Sequence, residues 1–449
     1  MSEQAKAQAE AIAEAGKPAP KAETDGVPAP ASLLRNHDGG HAPVSYLELF
    51  FDLVYVFAVT QLSHHVLHHM DAAGLAEALV LFLAVWWAWM FTAWAANWTN
   101  PERGPVRIML LLSMLASLGL AVAMPRAFAP GGQGDALLFA ACYVAVQVGR
   151  SGFVAWAMAR SQRGGWRGSG ARNMIRITVW FVISAPLWLG GALVEAPMAR
   201  LGLWALALAV DYGGPFRGFA TPGLGRSRPE DWDISGSHLA ERCALFIIIA
   251  LGEGVVVTGS SFAEQTADLA RTTAFVLAFA GSALMWWIYF DLGAERGARH
   301  IAHHAQPGRV ARSVYTYLHM LIVGGIVITA VADALLLEHP LDPADLPLIA
   351  AQAGGLLVFL AGTGLFKRPS SPNGNFPLSH WVGGGLLLAL SALALSALGL
   401  SAPGFAVRMP APLFVGATVL ALLVVAVWEW ASYHRHAARQ GSSPGDAQG

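Results

Sequence analysis

Residues 46–65 read YLELFFDLVYVFAVTQLSHH, an apolar stretch that nevertheless carries two carboxylates, Glu48 and Asp52. About 20 such residues are enough to cross a bilayer as a helix. A charged side chain at the centre of a bilayer costs about 2.5–3.5 kcal/mol on insertion scales, so such residues turn to a polar interior and commonly serve function. Their four-residue spacing puts both acids on one helix face. The partners of these two acids are therefore what the rest of the chain has to supply.

Outward from this stretch the chain stays apolar: 55% of its 449 residues are hydrophobic and 13% are charged, which excludes an ordinary soluble domain. Twelve apolar runs read as spans, at 46–66, 75–97, 106–124, 136–158, 174–193, 198–213, 238–258, 272–292, 313–333, 345–366, 380–400 and 411–431. The expected fold is an all-α, polytopic membrane protein with the lipid bilayer as its main partner. The net charge of −1 predicts no nucleic-acid surface, and no long basic run marks a lipid-binding stripe. Cys142 and Cys243 lie inside apolar runs and read as small core residues. The chain has no zinc spacing, Walker loop, dinucleotide fingerprint or nucleophile elbow, so neither a cofactor nor an enzymatic activity is expected.

Lys and Arg collect on one side of these spans. They include Lys17, Arg35, Arg107, the group Arg160, Arg163, Arg167 and Arg172, then Arg217, Arg226 and Arg228, and further on Arg296, Arg299, Arg309, Lys367 and Arg435. The opposite loops hold little beyond Arg126, Arg200, Arg271 and Arg408. This asymmetry places both termini in the cytoplasm. The chain also repeats itself: setting Glu241 against Glu48 sets Trp287 against Trp94 and Phe275 against Phe82, and 112–124 resembles 318–330. The reading is two parallel six-span repeats, 46–213 and 238–431, joined by a linker at 214–237. A disordered leader, 1–45, rich in Ala, Pro, Lys and Glu, precedes them, and a polar tail, 432–449, follows.

SYLELFFDLVYVFAVTQLSHH at 45–65, HLAERCALFIIIALGE at 238–253 and LHMLIVGGIVITAVAD at 318–333 together resemble the bacterial low temperature requirement A family. The resemblance runs from about Pro43 to Tyr433. It implies a polytopic inner-membrane protein, named for a cold-growth phenotype, with no catalytic assignment to carry over. Glu48, Phe51 and Asp52 fall on the family's first-helix signature, and Glu241, Arg242, Gly252 and Glu253 on that of the seventh. The first helix alone is also similar to the helix bearing the Phe-Ser-Asp motif in a family of lysosomal and bacterial potassium channels. Here Phe51 replaces the Ser, and Leu245 stands opposite Asp52 in the second half.

The depth of Arg150 in its span makes it the expected partner of Asp52, because a buried pair is far cheaper than either charge alone. Glu253 is the expected working acid: it lies well inside span seven between Gly252 and Gly254, which allow close helix approach or local unwinding. Glu241 and Arg242 sit one turn inside the same span, and His238 precedes Glu241 by three residues, a weak metal-ligand spacing better read as interfacial hydrogen bonding. His319 is expected in the core as a hydrogen-bonded or proton-relaying group. Asp211, Asp333 and Glu429 are read as solvated span ends. These residues point to a secondary transporter of a small solute, coupled to protons through buried carboxylates. A cation channel, with Asp52 lining the pore of a homo-oligomer, and a non-transport scaffold or sensor for cold growth are the alternatives.

Overall fold

The first helix, α1 (Tyr46–His68), starts where it does because S-x-x-E at 45–48 closes a capping box: the Ser45 side chain accepts from Glu48 N, and the Glu48 carboxylate accepts from Ser45 N. In a computed structural model, residues 32–35, 43–161, 164–228, 231–232, 234–263, 268–291, 297, 311–370, 374–399 and 409–441 are described. Most of the leader, Arg163, Arg296, Arg299, Arg309, Arg408 and the tail beyond 441 lie outside the described residues.

Eleven further long helices follow, and no strand occurs among the described residues. They are α2 (Ala72–Trp98), α3 (Gly104–Arg126), α4 (Gln133–Ser161), α5 (Ser169–Leu193), α6 (Pro197–Phe216) and α7 (Gly236–Ala263). The rest are α8 (Leu269–Tyr289), α9 (Val314–Glu338), α10 (Leu346–Lys367), α11 (Leu378–Leu398) and α12 (Ala411–Arg435). Asp71, Asp268 and Asp345 cap α2, α8 and α10 by accepting from the backbone of Gly74, Arg271 and Leu348 at 2.7, 2.8 and 2.9 Å. Prolines occupy the first turns of α3, α6 and α10, where a missing N–H breaks no helix bond.

Eleven of the twelve helices, among the described residues, are long and apolar enough to cross a membrane. The chain is thus a multi-pass membrane protein. The expected sixth span is a helix but falls outside that set, because buried Arg200 and Asp211 lower its hydropathy. Packing neighbours recur in the two halves. In the first, α1 lies against α2 and α3, then α3 against α4, α4 against α5, α5 against α6, and α6 against α2. In the second, α7 lies against α8 and α9, α9 against α10, α10 against α11, α11 against α12, and α12 against α8. The halves meet where α1 touches α7 and α9. Every residue of α2 from Ala84 to Trp98 is buried, whereas Ile108, Leu111, Leu112 and Leu115 of α3 are exposed, as suits a lipid-facing stripe.

Helices α9 and α10 approach closely through glycines, the usual route to tight packing where lipid removes the hydrophobic drive. A Cβ on Gly325 would lie 2.6 Å from Phe359 N and 2.7 Å from Gly355 O. Backbone cannot yield as a side chain can, so Gly325→Ala is expected to cost about 1–3 kcal/mol. Gly354→Ala, with nothing within 4 Å of the added carbon, serves as the neutral comparison. Thermal unfolding of the two variants in detergent checks this, and equal midpoints would contradict it.

Candidate functional site

The charged side chains of α1 find their partners on α7, not on α4. Glu48 and Asp52 rise one turn apart on α1, and His238 and Arg242 rise one turn apart on α7; the two pairs meet rung by rung. His238 Nε2 donates to Glu48 Oε1 at 2.8 Å, and Arg242 Nη2 donates to Asp52 Oδ1 at 2.7 Å. Arg242 Nη1 also lies 3.7 Å from Glu48 Oε1, so the guanidinium bridges both rungs. None of the four is more than 1% exposed.

Further groups complete the cluster. Trp89 Nε1 of α2 donates to Asp52 Oδ1 at 2.8 Å, and the Arg242 guanidinium lies over the rings of Trp89 and Phe51 at 5.8 and 6.0 Å. Glu48 Oε2 accepts from Ser45 N, from Ser45 Oγ and from Arg35 Nη2, at 2.8, 2.8 and 2.9 Å. Two carboxylates thus face two guanidinium groups. The imidazole of His238 adds no necessary charge: with its proton on Nε2 it donates to Glu48, while Nδ1 accepts from Asn97 Nδ2 at 3.2 Å. Asn97 in turn holds the backbone of Ser235 just before α7, through Oδ1 to N at 2.9 Å and Nδ2 to O at 2.8 Å. Two buried positions remain open, Asp52 Oδ2 and Arg242 Nε, which have no hydrogen-bond partner among the described residues.

Arg35 was placed in the leader by composition, yet it belongs to this cluster. Residues 33–35 pair with the end of α2, with Arg35 N donating to Trp98 O at 3.0 Å and Asn100 N to Leu33 O at 2.9 Å. The leader is therefore built into the fold at this point. Glu241, next to Arg242, is half-buried, and His238 turns to Glu48 instead of forming a metal pair with it. No group of three metal-ligating side chains forms among the described residues.

Arg150 is not the partner of Asp52. Its Nη1 donates to Ala88 O and Thr92 Oγ1 at 3.1 and 3.0 Å, and its Nη2 to Gln147 Oε1. Phe91 and Phe181 flank it at 5.6 and 5.9 Å. A π turn at Ala145–Gly149 re-aims this part of α4. From Gln147 the bonds continue through Tyr143 to Asp211 of α6, which also accepts from Trp188 at 3.3 Å. Asp211 is thus a buried acceptor and not a solvated helix end. Glu429 is held too, by Lys367 Nζ at 2.5 Å and His380 Nδ1 at 3.3 Å, and Asp333 is only 3% exposed.

Glu253 lies eleven residues beyond Arg242, about 16 Å deeper along α7. The helix is continuous there, so of the two readings of Gly252 and Gly254, close approach or local unwinding, no unwinding occurs. One oxygen, Oε2, is 2.5 Å from Thr60 Oγ1 on α1; the other, Oε1, is buried with no hydrogen-bond partner among the described residues. Thr60 Oγ1 is also 3.1 Å from Val56 O. His319 sits apart again, 2.8 Å from Tyr289 OH and stacked on Tyr315. Asp52, Arg150, Glu253 and His319 therefore occupy four separate places, and only Asp52 shares its place with other charges.

A family model described as the bacterial low temperature requirement A protein (LtrA) matches residues 43–427, a span holding the whole cluster except Arg35. The chain belongs to the LtrA family. It is also 38% identical over 397 residues to an uncharacterized protein of Rhizobium meliloti (strain 1021), RA0937, covering 88% of this chain and 91% of that one. The segments 45–65 and 238–253, which carry the sequence resemblance, lie in the two helices whose side chains form the ladder. Sequence reasoning placed Glu48, Asp52, Arg242 and Glu253 among the candidates but missed His238, Trp89 and Arg35 as contacts of the first three and Thr60 as the contact of Glu253. The S-x-x-E capping box was a readable signal for the position of Glu48; nothing local signalled the role of Trp89.

Proposed function

We propose that this LtrA protein is a secondary transporter of a small solute in the bacterial inner membrane, coupled to protons through Glu253 and Asp52, with both termini cytoplasmic. On this reading it consists of two copies of one six-helix unit and catalyses no covalent step. The observation that carries the proposal is the contact between Thr60 and Glu253. The offset that sets Glu241 against Glu48 also sets Glu253 against Thr60, and two equivalent positions that touch must lie close to the axis relating the copies. The recurring packing order of the two halves supports the same duplication.

An ionisable group on such an axis senses any movement of one half against the other. Thr60 has one hydroxyl proton but two acceptors within reach, Val56 O and Glu253 Oε2. Both contacts are satisfied together when Glu253 carries a proton and donates it to Thr60 Oγ1. When Glu253 is ionised, Thr60 must turn its proton to the carboxylate and give up Val56. The α1–α7 contact therefore has two arrangements that differ by one proton. On the basic side the ladder is the second device: rocking one half against the other separates Asp52 from Arg242, and Asp52 Oδ2 offers an acceptor for the proton that would ease that separation. The channel alternative requires Asp52 on a pore wall, whereas Asp52 and Phe51 are packed in the core of one chain.

The test is proton movement in liposomes holding purified protein and a trapped pH-sensitive dye, challenged with a panel of amino acids, carboxylates and inorganic cations. The expected result is a pH change that depends on one solute class and disappears in Glu253→Gln. Cation currents that ignore a proton gradient would replace this reading with the channel. No solute-linked proton movement, together with full cold-growth complementation by Glu253→Gln and Asp52→Asn, would replace it with the scaffold.

A further inference from the structure

A cavity of about 1380 Å³ lies away from the ladder, at the side where α5 begins and α6 ends. It exceeds the roughly 300–1,000 Å³ of ordinary small-molecule sites. Six arginines line it, drawn from two separate stretches: Arg167, Arg172 and Arg176 just before and in the start of α5, and Arg217, Arg226 and Arg228 after α6. Asp231 is the one carboxylate among the lining residues, and it is already engaged by Arg176 Nη1 at 3.4 Å and by the backbone N of Arg228 at 2.9 Å. Among the described residues, no carboxylate lies within ion-pair distance of the other five arginines. In sequence, the linker 214–237 holds three acids, Glu230, Asp231 and Asp233, half the number of the lining arginines.

The wall that carries Arg217, Arg226 and Arg228 is a built turn. Gly218, Phe219, Gly223 and Gly225 all have positive φ, at 59, 48, 76 and 75°. Such a φ is strained for phenylalanine, and the position is fixed by burial of its ring beside Trp180, Phe91 and Trp232. Ser227 N closes the turn on Gly218 O at 2.7 Å, and Ser227 Oγ donates to Asn173 Oδ1 on α5. Leu224 O takes Arg176 Nε at 2.9 Å and Arg172 Nη2 at 3.3 Å, so these two arginines hold the wall while their neighbours face the opening. At the rim Phe216, 78% exposed, stacks on Tyr317 and forms an apolar shelf beside the guanidinium groups.

We propose that this cavity is a binding site for a phosphate-bearing anion, taken either from an anionic phospholipid headgroup or from a soluble phosphate compound. The preference for positive residues on one side of a membrane accounts for the number of arginines, but not for their convergence from two separate stretches on one preformed cavity. Guanidinium forks match phosphate oxygens in geometry as well as charge, and basic pockets between transmembrane helices recognise lipid phosphates in this way. The absence of any long basic run in the sequence hid the site, because folding assembles it.

The experiment is native mass spectrometry of the delipidated full chain in detergent, titrated with cardiolipin, phosphatidylcholine or inorganic pyrophosphate. It compares the wild type, the triple variant Arg217→Gln, Arg226→Gln and Arg228→Gln, and the control Arg126→Gln on the opposite side. The three targeted arginines are exposed, so the triple variant keeps the fold. Cardiolipin binding that exceeds phosphatidylcholine binding and weakens about a hundredfold in the triple variant supports the site with lipid as its source. Pyrophosphate binding with the same dependence supports it with a soluble source, and competition between the two supports one site open to both. Binding of neither probe, or binding that the triple variant and Arg126→Gln leave equally strong, overturns the proposal.

Discussion

Arg242→Leu is expected to destabilise the protein by about 3–5 kcal/mol, the cost of removing one member of a buried pair and leaving its partner uncompensated. Here the loss falls on two carboxylates at once. Asp52 loses its 2.7 Å ion pair and keeps only the Trp89 indole, while Glu48 retains Arg35 and His238 but loses the bridging charge. Arg242→Lys should fall between leucine and the wild type, because an ammonium cannot span both rungs and stack on Trp89 and Phe51 together. The decisive variant is the double change Asp52→Leu with Arg242→Leu. Removing both charges takes away the uncompensated carboxylate, so the pair should lose less than the sum of its single changes, by a coupling of about 1–3 kcal/mol. Arg150→Leu is the comparison: it loses only neutral acceptors, so about 1–3 kcal/mol is expected with no rescue by Asp52→Leu. Unfolding in detergent measures these variants together with Asp52→Leu alone and Asp52→Leu with Arg150→Leu. Additive losses for Asp52 and Arg242, or coupling of Asp52 to Arg150, would remove the ladder as the organising contact.

The mistaken partner of Asp52 shows where sequence stops being legible. Composition and apolar run length were sufficient for the helices, and the four-residue spacing of Glu48 and Asp52 was sufficient for a shared face. Choosing the partner required knowing which helices touch and where each one begins. Asp52 and Arg242 each lie six residues after the first residue of their helix, α1 at Tyr46 and α7 at Gly236, so they sit at equal depth. Arg150 lies eleven residues before the end of α4 at Ser161, deeper than Asp52, and the π turn before it rotates it toward Thr92. No periodicity reports such a turn. Asp211 failed for a related reason: its partners Tyr143 and Trp188 are on α4 and α5, so proximity to the end of its own helix said nothing about water. The arginine cavity was invisible for the same physical reason, since its lining comes from segments separated along the chain.

Glu253→Gln is expected to leave the fold intact and to lower solute-coupled proton transport by about a hundredfold or more, the scale on which a positioned proton-transfer group contributes. The two halves of this expectation come from one contact. A glutamine amide can donate to Thr60 Oγ1 while Thr60 donates to Val56 O, which reproduces the bonding of the protonated acid. The α1–α7 contact therefore keeps its hydrogen bonds, and the unfolding midpoint should stay close to that of the wild type. What glutamine cannot do is release the proton, so the contact is held in one of its two arrangements. Thr60→Val separates the two roles: it keeps the acid but removes the hydroxyl that senses it, and should weaken the coupling of solute to proton without abolishing either binding or proton exchange at Glu253. Flux assays on both variants, read against solute binding by the same proteins, check the argument. Wild-type flux in Glu253→Gln would show that this acid only packs, and equal losses of binding and flux in both variants would place the solute itself at Thr60.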